Sequence, residues 1–251
     1  MTPNPYSLAM LYHIHHGLHD EDIPFWMALA NLYGDPILEL GCGTGRVLAH
    51  LLAAGWQVVG LDNDLAMLTT LLQIHPSHTT DQLLVFQADL TAFHVNCGFG
   101  LICLPCNTFS TLESAGRHKL YSLVKKHLRS GGCFAASLPN PALLARLPRK
   151  ADSELEDTFP HPLDGEPVQV SSSWSRDSHS FRLSWHYDHL LADGYVDRAS
   201  ITTTHHIIPL QNLLRELDVH GLEPAGVYGD FDFSPYFEDS PNLILLLAPQ
   251  K

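Results

Sequence analysis

The sequence predicts a doubly wound α/β fold: a mostly parallel seven-stranded sheet with an antiparallel β insertion after its fifth strand. Three observations carry this reading. Short apolar runs alternate with helical patterns from Ile37 to Leu138. A glycine-rich turn, Gly41-Cys42-Gly43-Thr44-Gly45, leads from the first apolar run into a helix. After Pro139 the pattern changes to runs rich in Ser, Thr, Val, Trp and Tyr, residue types that suit a pleated sheet. Strands alternating with helices at this rhythm pair in parallel through right-handed crossovers.

Residues 6–33 read as helical, with a break near His19–Asp22 and Pro24 in the first turn of the second piece. Pro36 introduces a strand, Ile37–Leu40. The next helix places Val47, Leu48, Leu51 and Leu52 on one face and closes at Gly55. Gln57–Leu61 is a second strand ending at Asp62, and Ala66–Ile74 a helix. Leu83–Gln87 is a third strand with Asp89 just beyond it, and Phe99–Pro105 a fourth. Lys119–Leu128 is helical; Gly131-Gly132 stops it before a fifth strand, Cys133–Leu138.

Residues 145–167 are acidic and proline-rich and read as a long loop. Val168–Trp174, Phe181–His189 and Tyr195–His206 read as antiparallel strands, with Ala192-Asp193-Gly194 as a turn. Pro209 opens a helix that ends near Gly221, and Pro224–Gly229 and Leu243–Ala248 close the sheet. The organisation is N-terminal helices and core over residues 1–138, acidic loop and insertion over 139–206, and last helix with closing strands over 207–251.

The chain has 251 residues and a formal net charge of −13. Its 14 basic residues form no dense run, which opposes binding to a phosphate backbone. No apolar stretch reaches the roughly 20 residues that cross a bilayer. The first ten residues lack the cationic start and apolar segment of a signal peptide. Five cysteines, an odd count without disulfide spacing, make a reducing cytoplasm the simplest setting.

The run from Ile37 to Asp62 carries the chemistry. Glycine adopts φ > 0 and lets a ligand approach the main chain. Asp62 stands 21 positions after Gly41 at the end of the next strand. There a carboxylate sits beside the glycine turn and can accept both hydroxyls of a ribose. The dinucleotide fingerprint wants a third glycine three residues after the second, where this chain has Arg46. That departure weighs against a nicotinamide-dependent oxidoreductase. No Gly-Lys-Ser/Thr follows, which excludes a P-loop.

Leu38-Glu39-Leu40-Gly41-Cys42-Gly43-Thr44-Gly45-Arg46 resembles the first motif of class I S-adenosylmethionine-dependent methyltransferases. Val58 to Asp64 with Met67-Leu68 resembles their second motif and Gln87-Ala88-Asp89-Leu90 their third. Leu128-Arg129-Ser130-Gly131-Gly132 resembles the turn before their fifth strand. The resemblance covers residues 6–138, and the last two strands by pattern only.

It implies methyl transfer with S-adenosyl-L-methionine as cofactor. Gly41, Gly43 and Gly45, with Cys42 between them, would lie against its methionine part. Glu39 would order the turn and meet the cofactor amine through water. Asp62 would bind the ribose diol, and Asn63 and Met67 would flank the adenine. Asp89 would accept from the adenine amino group, with the Leu90 amide facing a ring nitrogen. Pro105 would sit by the methionyl chain, and Tyr12 near the cofactor carboxylate. The bland alternatives are a helix cap for Asp62, a solvated loop carboxylate for Asp89 and plain packing for Tyr12.

The acceptor is expected over the ends of strands four and five, near Cys106, Asn107, Thr108 and Asn140. The topology of the family the chain resembles would also bring in the N-terminal helix, with Tyr6, Tyr12 and His13, and the loop from Tyr228 to Asp232. Candidate catalytic residues are Asn107 to orient an amine or hydroxyl, His13 as a base, and Tyr12. A turn-forming Asn107 and a packed His13 are the competing readings. Leu104-Pro105-Cys106-Asn107 departs from the Asp/Asn-Pro-Pro-aromatic run of enzymes that methylate adenine in DNA. The β insertion resembles that of small-molecule N-methyltransferases, including enzymes of nucleotide-linked amino sugars, where it covers the site or joins subunits. A small-molecule acceptor follows, nitrogen slightly ahead of oxygen, with a homodimer through the insertion as one arrangement. A cofactor-binding regulatory protein without turnover is the alternative.

His13, His15, His16 and His19 cluster on one helix, and pairs at i, i+3 and i, i+4 can hold a metal. No Cys or carboxylate stands at matching spacing in that helix, so no metal site is expected. Cys103 and Cys106 have redox spacing, but Cys103 falls inside a buried strand and reads as a core thiol. Trp174, Phe181, Trp185 and Tyr187 read either as packing or as an aromatic substrate wall.

Overall fold

The N-terminal stretch folds as α1 (Pro5–Gly17) and α2 (Ile23–Tyr33), broken where the sequence predicts. Asp22 holds the break: its carboxylate accepts from Trp26 Nε1 at 2.8 Å. Helix α2 buries Phe25, Trp26, Leu29 and Ala30. The computed structural model describes residues 5–75 and 82–250, with side chains from Leu8 onward.

The core follows as β1 (Ile37–Leu40), α3 (Arg46–Ala53), β2 (Val58–Asp62), α4 (Leu65–Ile74), β3 (Leu83–Gln87), β4 (Phe99–Leu104), α5 (Ser114–His127) and β5 (Leu128–Pro139). Strands β1 and β4 are buried throughout, as parallel strands covered on both faces must be. Helix α3 buries the four residues of its expected face, Val47, Leu48, Leu51 and Leu52. Two expectations shift here. Helix α5 starts at Ser114, five residues before Lys119, and Gly131-Gly132 lie inside β5 rather than ahead of it. A Cβ on Gly132 would come within 2.8 Å of the Phe99 carbonyl, so that glycine admits the neighbouring strand.

After β5 come α6 (Pro141–Arg146), β6 (Lys150–Pro160), β7 (Pro167–Arg176), β8 (Ser180–Leu190), β9 (Val196–His206), α7 (Leu210–Asp218), β10 (Leu222–Tyr228) and β11 (Asn242–Pro249). The main sheet has the order β10-β11-β5-β4-β1-β2-β3. Only β11 runs antiparallel to both of its neighbours. Order reverses between β1 and β4, the switch point where doubly wound sheets bind ligands.

The insertion is a second, antiparallel sheet of order β6-β7-β8-β9. Its first strand corrects the expected 145–167 loop. Strand β6 pairs with β7 from Lys150–Ser175 to Pro160–Pro167, although it buries only Phe159 fully. An edge strand tolerates charge and proline because one side of it needs no hydrogen-bonding partner. That exposure strips β6 of the apolar alternation by which strands are read.

The two faces of the main sheet pack separately, one around Trp26, Leu48 and Leu71, the other around Tyr121, Leu213 and Leu217. A third cluster joins Leu11 of α1 to Phe159, Val170 and Tyr187 of the insertion. Helix α1 therefore fastens the insertion to the body. No helix among the described residues is long and apolar enough to cross a membrane.

Candidate active site

The glycine turn is hooked to the tip of β2. Gly41, Gly43 and Gly45 have φ of 63°, 53° and 86°. Cys42 N donates to Leu61 O and Gly43 N to Asp62 Oδ2, both at 2.9 Å. Asp62 Oδ1 accepts from Asp64 N at 2.9 Å. The helix-capping task falls to Asp64, whose Oδ1 accepts from Ala66 N and Met67 N. Each Asp62 oxygen has a lone pair left over, so the carboxylate can still receive two hydroxyls. Burial raises the Asp62 pKa, opposed by the amides of Asp64 and Gly43.

A cleft of about 460 Å³ opens over this junction, within the usual range for small-ligand pockets. Tyr12, Glu39, Gly41, Cys42, Gly43 and Asp62 line it, as do Asn63, Met67, Asp89 and Leu90. A Cβ at Gly43 would meet nothing within 4 Å, so the turn is bare where a ligand would lie. Gly45 and Pro105 do not line the cleft. A Cβ on Gly45 would press on Leu71 at 3.0 Å, and buried Pro105 starts the turn beyond β4.

Glu39 is only 2% exposed, and its Oε2 has no hydrogen-bond partner. Burial pushes its pKa up to about 8, with Arg46 opposing. A buried carboxyl with one oxygen unpartnered inside a cleft is suited to an ammonium group. At the other end, Asp89 Oδ1 accepts from Thr91 N at 2.7 Å and Thr91 Oγ1 at 2.8 Å. Those bonds lower its pKa and keep it ionised.

A second cavity of about 440 Å³ shares Tyr12, His16, Arg46, Cys106 and Thr108 with the first. It lies over β4 and β5, as expected, and is lined by Asn107, Ser137 and Pro139. Cys106 and Asn107 both adopt φ near 60°, at 57° and 61°, a conformation uncommon outside glycine. The Asn107 carbonyl accepts from Ser110 Oγ at 2.7 Å, and that hydroxyl meets His205 Nδ1 at 2.8 Å. Burial lowers His205 to about 4, so its ring is neutral at ordinary pH.

Phe181 and Trp185 from the insertion and Phe231 from the C-terminal loop form the aromatic wall. Tyr187 packs instead, its hydroxyl 3.1 Å from His15 Nδ1. Asn140 does not reach the cavity: its amide donates to Glu238 O and Ser240 O and its Oδ1 caps α6. The side chain of Tyr6 lies outside the described residues.

His13 lines neither cavity; its Nδ1 sits 3.0 Å from Thr44 Oγ1. The histidine at the junction is His16, whose Nε2 is buried without a hydrogen-bond partner. Its ring lies 4.0 Å from that of Tyr12 and 5.2 Å edge-on to Trp185. Burial, then the neighbouring His15, lowers its pKa to about 3. Its sequence signal is spacing: a residue four after Tyr12 shares its helix face. Arg46, which the sequence marks only as a missing glycine, pairs with Asp22 at 2.6 and 2.7 Å and reaches Cys106 Sγ at 3.2 Å. It fastens the wall between the cavities.

Residues 37–132 match the sequence family described as a methyltransferase domain. The cypemycin N-terminal methyltransferase of a Streptomyces species is 25% identical over 224 residues, covering 87% of this chain and 85% of that protein. A crystal structure of an S-adenosylmethionine-dependent methyltransferase from Clostridium acetobutylicum superposes with a TM-score of 0.81 at 15% identity, covering 96% of this chain and 98% of that one. The sugar N-methyltransferase KedS8 from Streptoalloteichus gives 0.74 at 19% identity, over 96% and 92%. With the glycine turn and the carboxylate at the next strand tip, these likenesses mark residues 37–132 as a methyltransferase domain, in a chain with the fold of S-adenosylmethionine-dependent methyltransferases.

Proposed function

We propose that the protein methylates an amine nitrogen of a small-molecule acceptor. The observation that carries this reading is the pair of cavities meeting at His16, with an unpartnered ring nitrogen at the junction. When bound, S-adenosylmethionine supplies an electrophilic methyl group on a sulfonium sulfur. In this reading Glu39 receives the cofactor's ammonium, Asp62 its ribose hydroxyls and Asp89 its adenine amino group, with Asn63 and Met67 beside the ring.

The chain's own residues then have an orienting task. Neutral His16 Nε2 accepts an N–H of the acceptor amine, which turns the nitrogen lone pair toward the cleft. The acceptor nitrogen would take the methyl of the bound cofactor as the C–S bond breaks, and the product would leave as an ammonium whose surplus proton passes to water. Asn107 offers a second polar contact, and Tyr12, Trp185 and Phe181 supply faces that favour an amine acquiring charge. The orienting part thus falls to His16, and a pKa of about 3 keeps it from the base role expected of His13. Alignment of this kind can supply roughly 7–11 kcal/mol of barrier reduction. The N-terminal methyltransferase and the sugar N-methyltransferase to which the chain is similar support nitrogen.

The test is a panel of matched amine and alcohol acceptors, including amino sugars and free peptide N-termini, read by release of S-adenosylhomocysteine. Turnover is expected with amines. His16→Ala should lower kcat by about a hundredfold and leave S-adenosylhomocysteine affinity unchanged. Turnover confined to alcohols, or a fully active His16→Ala, overturns the reading.

A further inference from the structure

We propose that His15, His19 and Asp157 form a site for a divalent, zinc-type cation that ties α1 to the β insertion. His15 stands in the last turn of α1, and His19 follows two residues beyond its end, where its amide donates to the His16 carbonyl at 3.3 Å and its ring lies 5.8 Å from that of His15. The carboxylate missing from that helix comes from β6, the strand hidden in the acidic segment. Asp157 Oδ2 lies 3.4 Å from His15 Nε2 and 3.3 Å from His19 Nε2. The three ligand atoms all lie within 4.8 Å of one another.

These separations discriminate between two explanations. Charge-assisted N–H···O bonds settle near 2.7–2.9 Å, so both contacts are long for ion pairs. Two ligands bound at about 2.0–2.1 Å to one tetrahedral ion stand about 3.3 Å apart. The nitrogen–oxygen distances already match that edge, and rotation of the exposed His19 side chain can shorten the remaining one.

The surroundings are those of a ligand set rather than a chance cluster. Tyr187 Oη sits 3.1 Å from His15 Nδ1, which directs Nε2 at Asp157 as a second contact on a metal-bound imidazole does. His15 is 2% exposed, and Trp185 packs edge-on against it at 5.9 Å. The His19 side chain is 52% exposed, giving an entry path and room for a water as fourth ligand. Two imidazoles and one carboxylate suit zinc, whereas magnesium and calcium prefer all-oxygen sets. A bound cation would hold α1, with Tyr12 and His16, against the strands that roof the acceptor cavity.

A second group, His161, Asp164 and His189, serves as the internal comparison. Its rings stack at 3.9 Å and share one oxygen of an exposed carboxylate. Its members belong to the insertion alone, so it ties no two parts together.

The probe is cobalt(II), added to the full chain after chelator treatment. One ion per chain is expected, with intense visible bands of tetrahedral type that zinc abolishes. His19→Ala and Asp157→Asn, both at accessible positions, should each weaken binding at least tenfold, and Tyr187→Phe ten- to a hundredfold. His189→Ala should leave the bands intact. S-adenosylhomocysteine affinity and the melting curve of each variant report that it is folded. Weak octahedral bands, bands that survive both His19→Ala and Asp157→Asn, or bands lost in His189→Ala would each overturn the proposal.

Discussion

Glu39 is a carboxyl held where water does not reach, and its proton reports on that cost. Its ordinary value is 4.5, and burial raises it to about 8. Between those two values the folded protein binds the proton that the unfolded chain has released. The stability of the cofactor-free protein must therefore fall as pH rises through that window. Melting curves across it should show the slope, and Glu39→Gln should flatten it. His205 acts at the other end: lowered from 6.5 to about 4 by burial, it is charged first in the unfolded chain. Stability should fall as pH drops between those values, and His205→Gln should reduce the loss. In the proposed reading Asp62 is a main source of cofactor affinity. Asp62→Ala removes an anchor of the glycine turn along with a charged acceptor, and calorimetry with S-adenosylhomocysteine should show at least a tenfold loss. Unchanged affinity would remove the ribose role from this carboxylate.

At the scale of elements, close approach governs which glycines matter. A Cβ on Gly100 in β4 would collide with the carbonyl oxygens of Tyr33 and Gly34, atoms of the main chain that cannot turn aside. At Gly60 in β2 the obstacles are the Leu48 and Cys42 side chains, at 2.8 and 3.0 Å. Gly100→Ala should therefore destabilise by about 3 kcal/mol or more, and Gly60→Ala by less. Denaturant midpoints of the two variants check the order. A further element-scale tie joins α5 to α7: Arg117 pairs with Glu216 at 2.6 and 2.8 Å, both largely buried. Glu216→Ala leaves that guanidinium buried with only the Leu112 carbonyl to receive it, at a cost of about 3 kcal/mol in the same measurement.

Across the whole molecule, the main sheet supplies the first cavity while α1 and the insertion complete the second, and the proposed reading gives the first to the cofactor and the second to the acceptor. Trp185 belongs to the second cavity and not the first. Trp185→Ala should raise the acceptor KM by about tenfold, by loss of an aromatic face, and leave S-adenosylhomocysteine affinity as it was. Equal losses of both would mean that the two cavities do not divide the labour in this way. The architecture also explains why the lining of the first cavity was legible in the sequence and that of the second was not. Glycine elbow, Asp62 and Asp89 lie at strand ends within one stretch of chain, so their spacing encodes their meeting. His16, Arg46, Trp185 and His205 come from α1, α3, β8 and β9, and no local spacing brings them together.

Local physics was sufficient for the buried strands, the amphipathic faces and the glycine turn, because there burial imposes a period on neighbouring residues. Strand β6 escaped, since an edge strand facing solvent has little apolar pattern to show. The same strand delivers Asp157 to His15 and His19, and the packing of α1 beneath the insertion puts His16, rather than His13, at the joint of the two cavities. Those placements depend on contacts between segments more than a hundred residues apart. They arise only when a helix chooses which of its faces to bury, and that choice is made by what packs against it.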